Sequence, residues 1–153
     1  MIVVPYRKFF VTALLGAALV GCSNEADPNS PEGKRQAVFK QMLKQSEPMG
    51  GMLSDRLPFD GNIFAEHAKK LAQLAEQPWS HFPEPGEDPE TNRAKADIWS
   101  DPQGFAQAID TYKTAVVDLT DATGGGVSGP AQVSDQLRAV QQACKACHDT
   151  YRR

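Results

Sequence analysis

The stretch Val133-Ser134-Asp135-Gln136-Leu137-Arg138-Ala139-Val140-Gln141-Gln142-Ala143-Cys144-Lys145-Ala146-Cys147-His148-Asp149-Thr150-Tyr151 carries two patterns at once. Val133, Leu137, Val140, Cys144, Cys147 and Tyr151 recur at spacings of 4, 3, 4, 3 and 4, the seam of an amphipathic helix. Within that seam, Cys144-Lys145-Ala146-Cys147-His148 reads Cys-x-x-Cys-His, the attachment signature of a c-type haem. The chemistry requires this order. Two thiols add across the two vinyl groups of the porphyrin, and the next residue offers an imidazole to the iron. On a helix Cys144 and His148 share a face, and Cys147 lies partly round it, within reach of the second vinyl. A zinc site is the rival reading. It needs about four ligands, mostly Cys or His. Only His67, His81 and the distant Cys22 remain, and none has zinc-like spacing. A thioredoxin-type pair would follow a strand, and no alternating strand pattern is present. The motif therefore predicts one covalent haem c on the inward face of the last helix.

Three further helices are expected upstream. The strongest periodicity is Phe105, Ile109, Tyr112, Val116 and Leu119, spaced 4, 3, 4 and 3. It starts at Ser100 or Asp101, with Pro102 in the first turn, and ends at Gly124-Gly125-Gly126. A second stripe, Ile63, Phe64, His67, Ala68, Leu71, Leu74 and Ala75, predicts a helix from Asp60 as cap to about Glu76. The first helix should run from about Glu32 to Leu53 through Val38, Phe39, Met42, Met49, Met52 and Leu53. Pro48 inside it should kink or split it. Residues 80–95 carry Pro83, Pro85, Gly86 and Pro89 among acids and read as a long polar loop. Helices joined by short to moderate loops argue an all-α chain, an antiparallel four-helix bundle with the haem against its last helix.

Residues 1–21 read differently. Arg7 and Lys8 precede an apolar run, Phe9 to Val20, too short for a stable membrane span and right for a secretory signal. Its end, Leu19-Val20-Gly21-Cys22, resembles a bacterial lipoprotein signal box, in which the Cys is acylated. That reading also accounts for the third cysteine. Residues 22–33 hold no large apolar side chain and are expected as a flexible tether, which leaves 34–153 as the bundle. The expected place is the bacterial periplasm, on a lipid anchor, which suits a haem attached outside the cytoplasm. Without Arg7 and Lys8 the chain has 14 basic against 19 acidic side chains. No basic patch points to nucleic acid. No nucleophile–base pair, phosphate loop or paired carboxylates stand beside the haem motif, so a non-enzymatic haem protein is expected.

The residues Arg35-Gln36-x-x-Phe39-x-x-Met42, Pro58-Phe59-Asp60, Pro78-Trp79, Ile98-Trp99-Ser100-Asp101 and Cys144-Lys145-Ala146-Cys147-His148-Asp149-x-Tyr151-Arg152 resemble the cytochrome c′ family and its low-spin relatives. The resemblance covers about 34–153. It implies an antiparallel four-helix bundle, often a homodimer through the first two helices, an interface that Pro48 would disturb. It implies His148 as proximal ligand and Arg152 as the basic residue beside the proximal haem face. A cation near a helix C-terminus is the plainer reading of Arg152. Arg35 and Gln36 match the pair that holds a haem propionate in the family; a solvated helix face is the plainer alternative. Phe39 falls where the family places its distal residue. Phenylalanine cannot ligate iron, so the resemblance implies a five-coordinate haem that binds NO or CO on an apolar side, with one-electron exchange with a redox protein also open to it. The competing reading is a six-coordinate electron carrier. Met42, three residues on from Phe39, would supply a thioether. A Met stripe at helical spacing is also ordinary core filling. His67 is a weaker candidate ligand, His81 is in a loop, and Trp79 and Trp99 read as packing anchors.

Overall fold

The computed structural model describes residues 26–83 and 92–153. The leader, Cys22 and the 84–91 part of the proline-rich loop lie outside the described residues. Five α-helices appear in order: α1 Pro31–Leu53, α2 Gly61–Leu74, α3 Asp97–Ser100, α4 Pro102–Thr123 and α5 Ser134–Tyr151. Four are long and form the bundle; α3 is a single turn leading into α4. Short 3-10 turns at Trp79–His81 and Pro130–Gln132 complete the described elements. Among the described residues no helix is long and apolar enough to cross a membrane.

Local chemistry sets the boundaries. Ser30 caps α1, its side chain accepting from Gly33 N, with Pro31 inside the first turn. The helix therefore begins inside the last residues of the stretch expected as tether. Ser30 N and Oγ both bond Asp27 O, which orders that entry. Asp60 caps α2 through Asn62 N and Ile63 N. Asp101 caps α4 through Gly104 N, with Pro102 following. Gly61 has no room for a side chain: a Cβ there would run into Val127 O. So the start of α2 is pressed against the α4–α5 connection.

Pro48 does not split α1, contrary to the stronger form of the expectation. The chain stays helical from Pro31 to Leu53. The turns after the proline are held by Met49 and Met52, which are 0% and 5% exposed in the core. Burying two Met side chains, worth about 1.5–3 kcal/mol each, offsets one missing backbone bond. α2 also departs slightly from its stripe. Ile63 is 46% exposed, because Phe64, one position round, takes the inward place at 0%. The helix ends at Leu74 rather than Glu76, and buried Pro78 closes the turn.

The main core joins all four long helices: Val38, Met42 and Met49 from α1, Phe64 and Leu71 from α2, Tyr112, Val116 and Leu119 from α4, Leu137 and Val140 from α5. The α4 and α5 seams face each other as their spacing requires. α4 packs chiefly on α5 and on α2, and α1 chiefly on α2; α1 and α5 meet at few places. One is the Phe39–His148 contact; another brings Gly50 close to Gln141. The order of these contacts makes α1 and α5 antiparallel. A second cluster, at the His148 end, gathers Ala94, Ile98, Phe105 and Tyr151, with Trp79, Phe82, Trp99 and Cys147 packed on it.

Candidate haem site

Cys144 and Cys147 are half-buried on the last turns of α5. Cys144 packs on the main core and Cys147 on the second cluster, so the pair straddles the join between the two. Burial, then the neighbouring Cys147, pushes the Cys144 thiol up to about 11. Burial raises Cys147 as well. At both positions burial favours the neutral thiol over the thiolate. Cys147 also lines a groove of about 260 Å³ between α4 and α5, beside Gly104 and Tyr151.

His148 lies in the last turn of α5 with an exposed rim. Partial burial of its ring lowers its pKa, nearby Arg152 lowers it further, and Asp149 opposes both. The lowering favours the neutral imidazole, the form that ligates a metal. Arg152 itself has left the helix: its backbone is extended and its N–H donates to His148 O at 3.1 Å. Residues 92–95 pin this end of the chain. Lys95 N donates to Tyr151 O at 2.9 Å, and Arg153 N to Arg93 O at 2.8 Å. Residues 93 and 95 thus fix the position of the turn that carries His148.

Phe39 stands opposite. Its ring centroid is 6.4 Å from that of the His148 imidazole, with the planes at 79°. Around it is an aromatic wall. Trp79 lies 5.8 Å and Phe82 6.4 Å from Phe39, and Phe105 is 5.2 Å from Phe82. Trp79 donates its indole N–H to Ala75 O at 2.6 Å, and Trp99 donates to Pro83 O at 2.6 Å. Both tryptophans are anchored as packing groups. An apolar cleft of about 340 Å³ opens between Trp79, Phe82, Ile98, Trp99 and Phe105.

Arg35 is 4% exposed. Its Nη1 donates to His81 O at 2.9 Å and its Nη2 to Asn92 Oδ1 at 2.7 Å; Glu32 is 3.5 Å away. The guanidinium also lies 4.8 Å over the Phe82 ring. So the plain solvated-face reading of Arg35 does not hold: the side chain is buried and oriented. Gln36 beside it is half-buried. Met42, Met49 and Met52 are all in the core. His67 bonds Gln45 Oε1 at 2.9 Å through Nδ1, tying α2 to α1. His81 contributes its backbone carbonyl to Arg35 rather than its ring.

Phe82 and Asn92 were hidden from sequence reasoning, because both fall in a stretch dominated by proline and acids. An aromatic residue three positions after Trp79, on a one-turn spacing, was the available signal for Phe82.

The donor set fits a porphyrin. It holds two thiols one helical turn apart, an imidazole on the same face and an aromatic lining, and it has one further polar feature. Among the described residues, the only buried side-chain polar atom with no partner is the Tyr112 hydroxyl, which lies near Cys144. Among the described residues no three His, Cys, Asp or Glu side chains converge on a bare metal ion.

A four-helix bundle with Cys-x-x-Cys-His on its last helix defines a class of c-type haem proteins. The family profile described as Cytochrome C′ matches residues 31–152. The cytochrome c′ of Halomonas halodenitrificans is 35% identical over 132 residues, 83% of this chain and 98% of that protein. Two solved structures from Alcaligenes xylosoxidans are also similar. A cytochrome c′ variant with carbon monoxide bound has a TM-score of 0.73 at 26% identity, over 84% of this chain and 98% of that one. A nitric oxide complex of another variant has a TM-score of 0.69 at 26% identity, over 82% of this chain and 98% of that one. The chain belongs to the cytochrome c′ family. Its cofactor is one covalent haem c.

Proposed function

We propose that this chain holds a five-coordinate haem c whose open iron position takes NO or CO. In this reading Cys144 and Cys147 carry the haem through thioethers and His148 ligates the iron. Arg152 is the cation beside the proximal imidazole. Arg35, with Gln36, faces a propionate. The haem supplies an iron that binds neutral diatomic ligands. The chain's own residues decide which ligands reach it and how fast.

The observation that carries the reading is the contact of Phe39 with His148; a phenyl ring cannot ligate iron, which supports an open sixth position on that side. Trp79 and Phe82 continue the apolar wall, and none of these three rings offers a hydrogen bond to an entering water or anion. The carbon monoxide and nitric oxide structures of relatives support the ligand class. The direct test is the optical spectrum of the purified protein, ferric and ferrous, with and without CO and NO. High-spin spectra that shift on adding gas are expected. Low-spin spectra indifferent to CO would overturn the reading and make Met42 the first candidate for a sixth ligand.

Phe39 acts as a steric gate here. Phe39→Ala is expected to speed CO binding to the ferrous protein about tenfold, which corresponds to lowering the barrier by roughly 1.4 kcal/mol. Stopped-flow or flash photolysis measures it; an unchanged rate would show that Phe39 does not cover the iron.

Export and anchoring complete the proposal. The family is periplasmic, and we read Cys22 as the acylated residue that tethers the bundle to a membrane. Cys22→Ser should move the haem protein from the membrane pellet to the soluble fraction. A variant that still pellets with lipid would remove the anchor from this account.

A further inference from the structure

The Tyr112 hydroxyl is buried without a hydrogen-bond partner, and the residue is only 5% exposed. Buried hydroxyls are almost always paired, because an unpaired one has given up water for nothing. Tyr112 sits on the α4 seam between Phe105 and Val116, where a phenylalanine would bury nearly the same surface without that cost. Its neighbours do not relieve it. Trp79, whose ring centroid is 6.1 Å away, spends its N–H on Ala75 O. The Cys144 thiol is near but is not a partner. Among the described residues none accepts from it, which leaves room for an acceptor on a bound molecule.

Its location narrows what that acceptor is. Along α1 the order runs Arg35, Phe39, Met42; along the antiparallel α5 it runs Arg152, His148, Cys144. Tyr112 is level with Cys144, one turn from His148 and on the side away from Arg35. A carboxylate held by Arg35 is thus at the wrong end. Trp79 bridges Tyr112 to Phe39, at 6.1 and 5.8 Å, so the phenol belongs to the wall that Phe39 covers.

We propose that Tyr112 Oη donates a hydrogen bond to the outer atom of a diatomic ligand bound on the Phe39 side, as the single polar contact in an apolar pocket. The inference rests on the open iron position proposed above. It adds a retention step to the gate: Phe39 limits entry, and Tyr112 slows departure.

The test compares the haem-loaded wild type with Tyr112→Phe as ferrous CO and NO adducts. Phenylalanine keeps the ring packing with Trp79, so fold and haem content should be unchanged, which circular dichroism and the haem spectrum check. In the variant the C–O stretching frequency should rise, because a donor to the outer oxygen weakens that bond in the wild type. CO dissociation should quicken roughly fivefold, the value of one ordinary hydrogen bond. The wild type alone should show a D₂O-sensitive stretch, a readout that needs no variant. If CO binds and neither stretch nor dissociation differs, Tyr112 is not a ligand donor and this inference fails while the gas-binding reading stands. If the wild type binds no CO at all, the open-iron reading fails and this one falls with it.

Discussion

Replacing both Cys144 and Cys147 with serine is expected to abolish covalent haem: a denaturing gel stained for haem should show no band where the parent shows one. Each vinyl needs one thiol, and the third cysteine, Cys22, lies far off in sequence. The hydroxyl of serine does not form the thioether. Single variants should keep a weakened band, since one thioether still survives denaturation. Cys144→Ser is expected to be the more damaging to packing, because Cys144 belongs to the main core while Cys147 packs on the smaller cluster. The expected scale is complete loss of covalent haem in the double variant against partial loss in each single one. A full-strength stained band in the double variant would remove the assignment of both cysteines.

The bundle was legible because its signals are local and redundant. The 4-3 seams of α4 and α5, the caps Asp60 and Asp101 and the glycine run after Thr123 each mark a boundary by short-range chemistry. The misreadings have equally specific causes. Pro48 breaks a local rule, and the long-range burial of Met49 and Met52 overrides it. Ile63 fits its stripe as well as Phe64 does; only packing decides which of two adjacent apolar residues turns inward. In the site, Cys-x-x-Cys-His announces itself because the reaction dictates its spacing. Nothing local couples Arg35 to His81 and Asn92, which are 46 and 57 residues away. Burial of that guanidinium is a property of the loop that folds over it. The vacant hydrogen bond of Tyr112 was equally out of reach, since in a helical seam a tyrosine and a phenylalanine give the same periodicity.

Phe64→Ala is expected to cost about 3–5 kcal/mol of stability, the largest effect of any single truncation away from the haem motif. Phe64 is 0% exposed, and its ring lies 5.9 Å from that of Phe59. It is the largest side chain that α2 commits to the core, and α2 is packed between α1 and α4. The cavity cannot close easily. Gly61 is pressed against the Val127 carbonyl at one end of α2, and buried Pro78 closes the turn beyond the other. A helix held at both ends relaxes little into a void, and the cavity term then adds to the lost transfer energy. Against a typical domain stability of about 5–15 kcal/mol, the change should be visible as a large drop in urea midpoint at unchanged slope. Leu43→Ala is the matched control. That residue is 54% exposed on the same pair of helices, and the substitution should stay within about 0.5 kcal/mol of the parent. The comparison has a functional side. Phe39 is carried by α1, and α1 is packed chiefly on α2, so loosening α2 should also loosen the gate. CO binding in Phe64→Ala should therefore quicken, by less than in Phe39→Ala, while Leu43→Ala leaves it unchanged. A Phe64 variant with parental stability would mean that the α1–α2 face is not the support that positions Phe39.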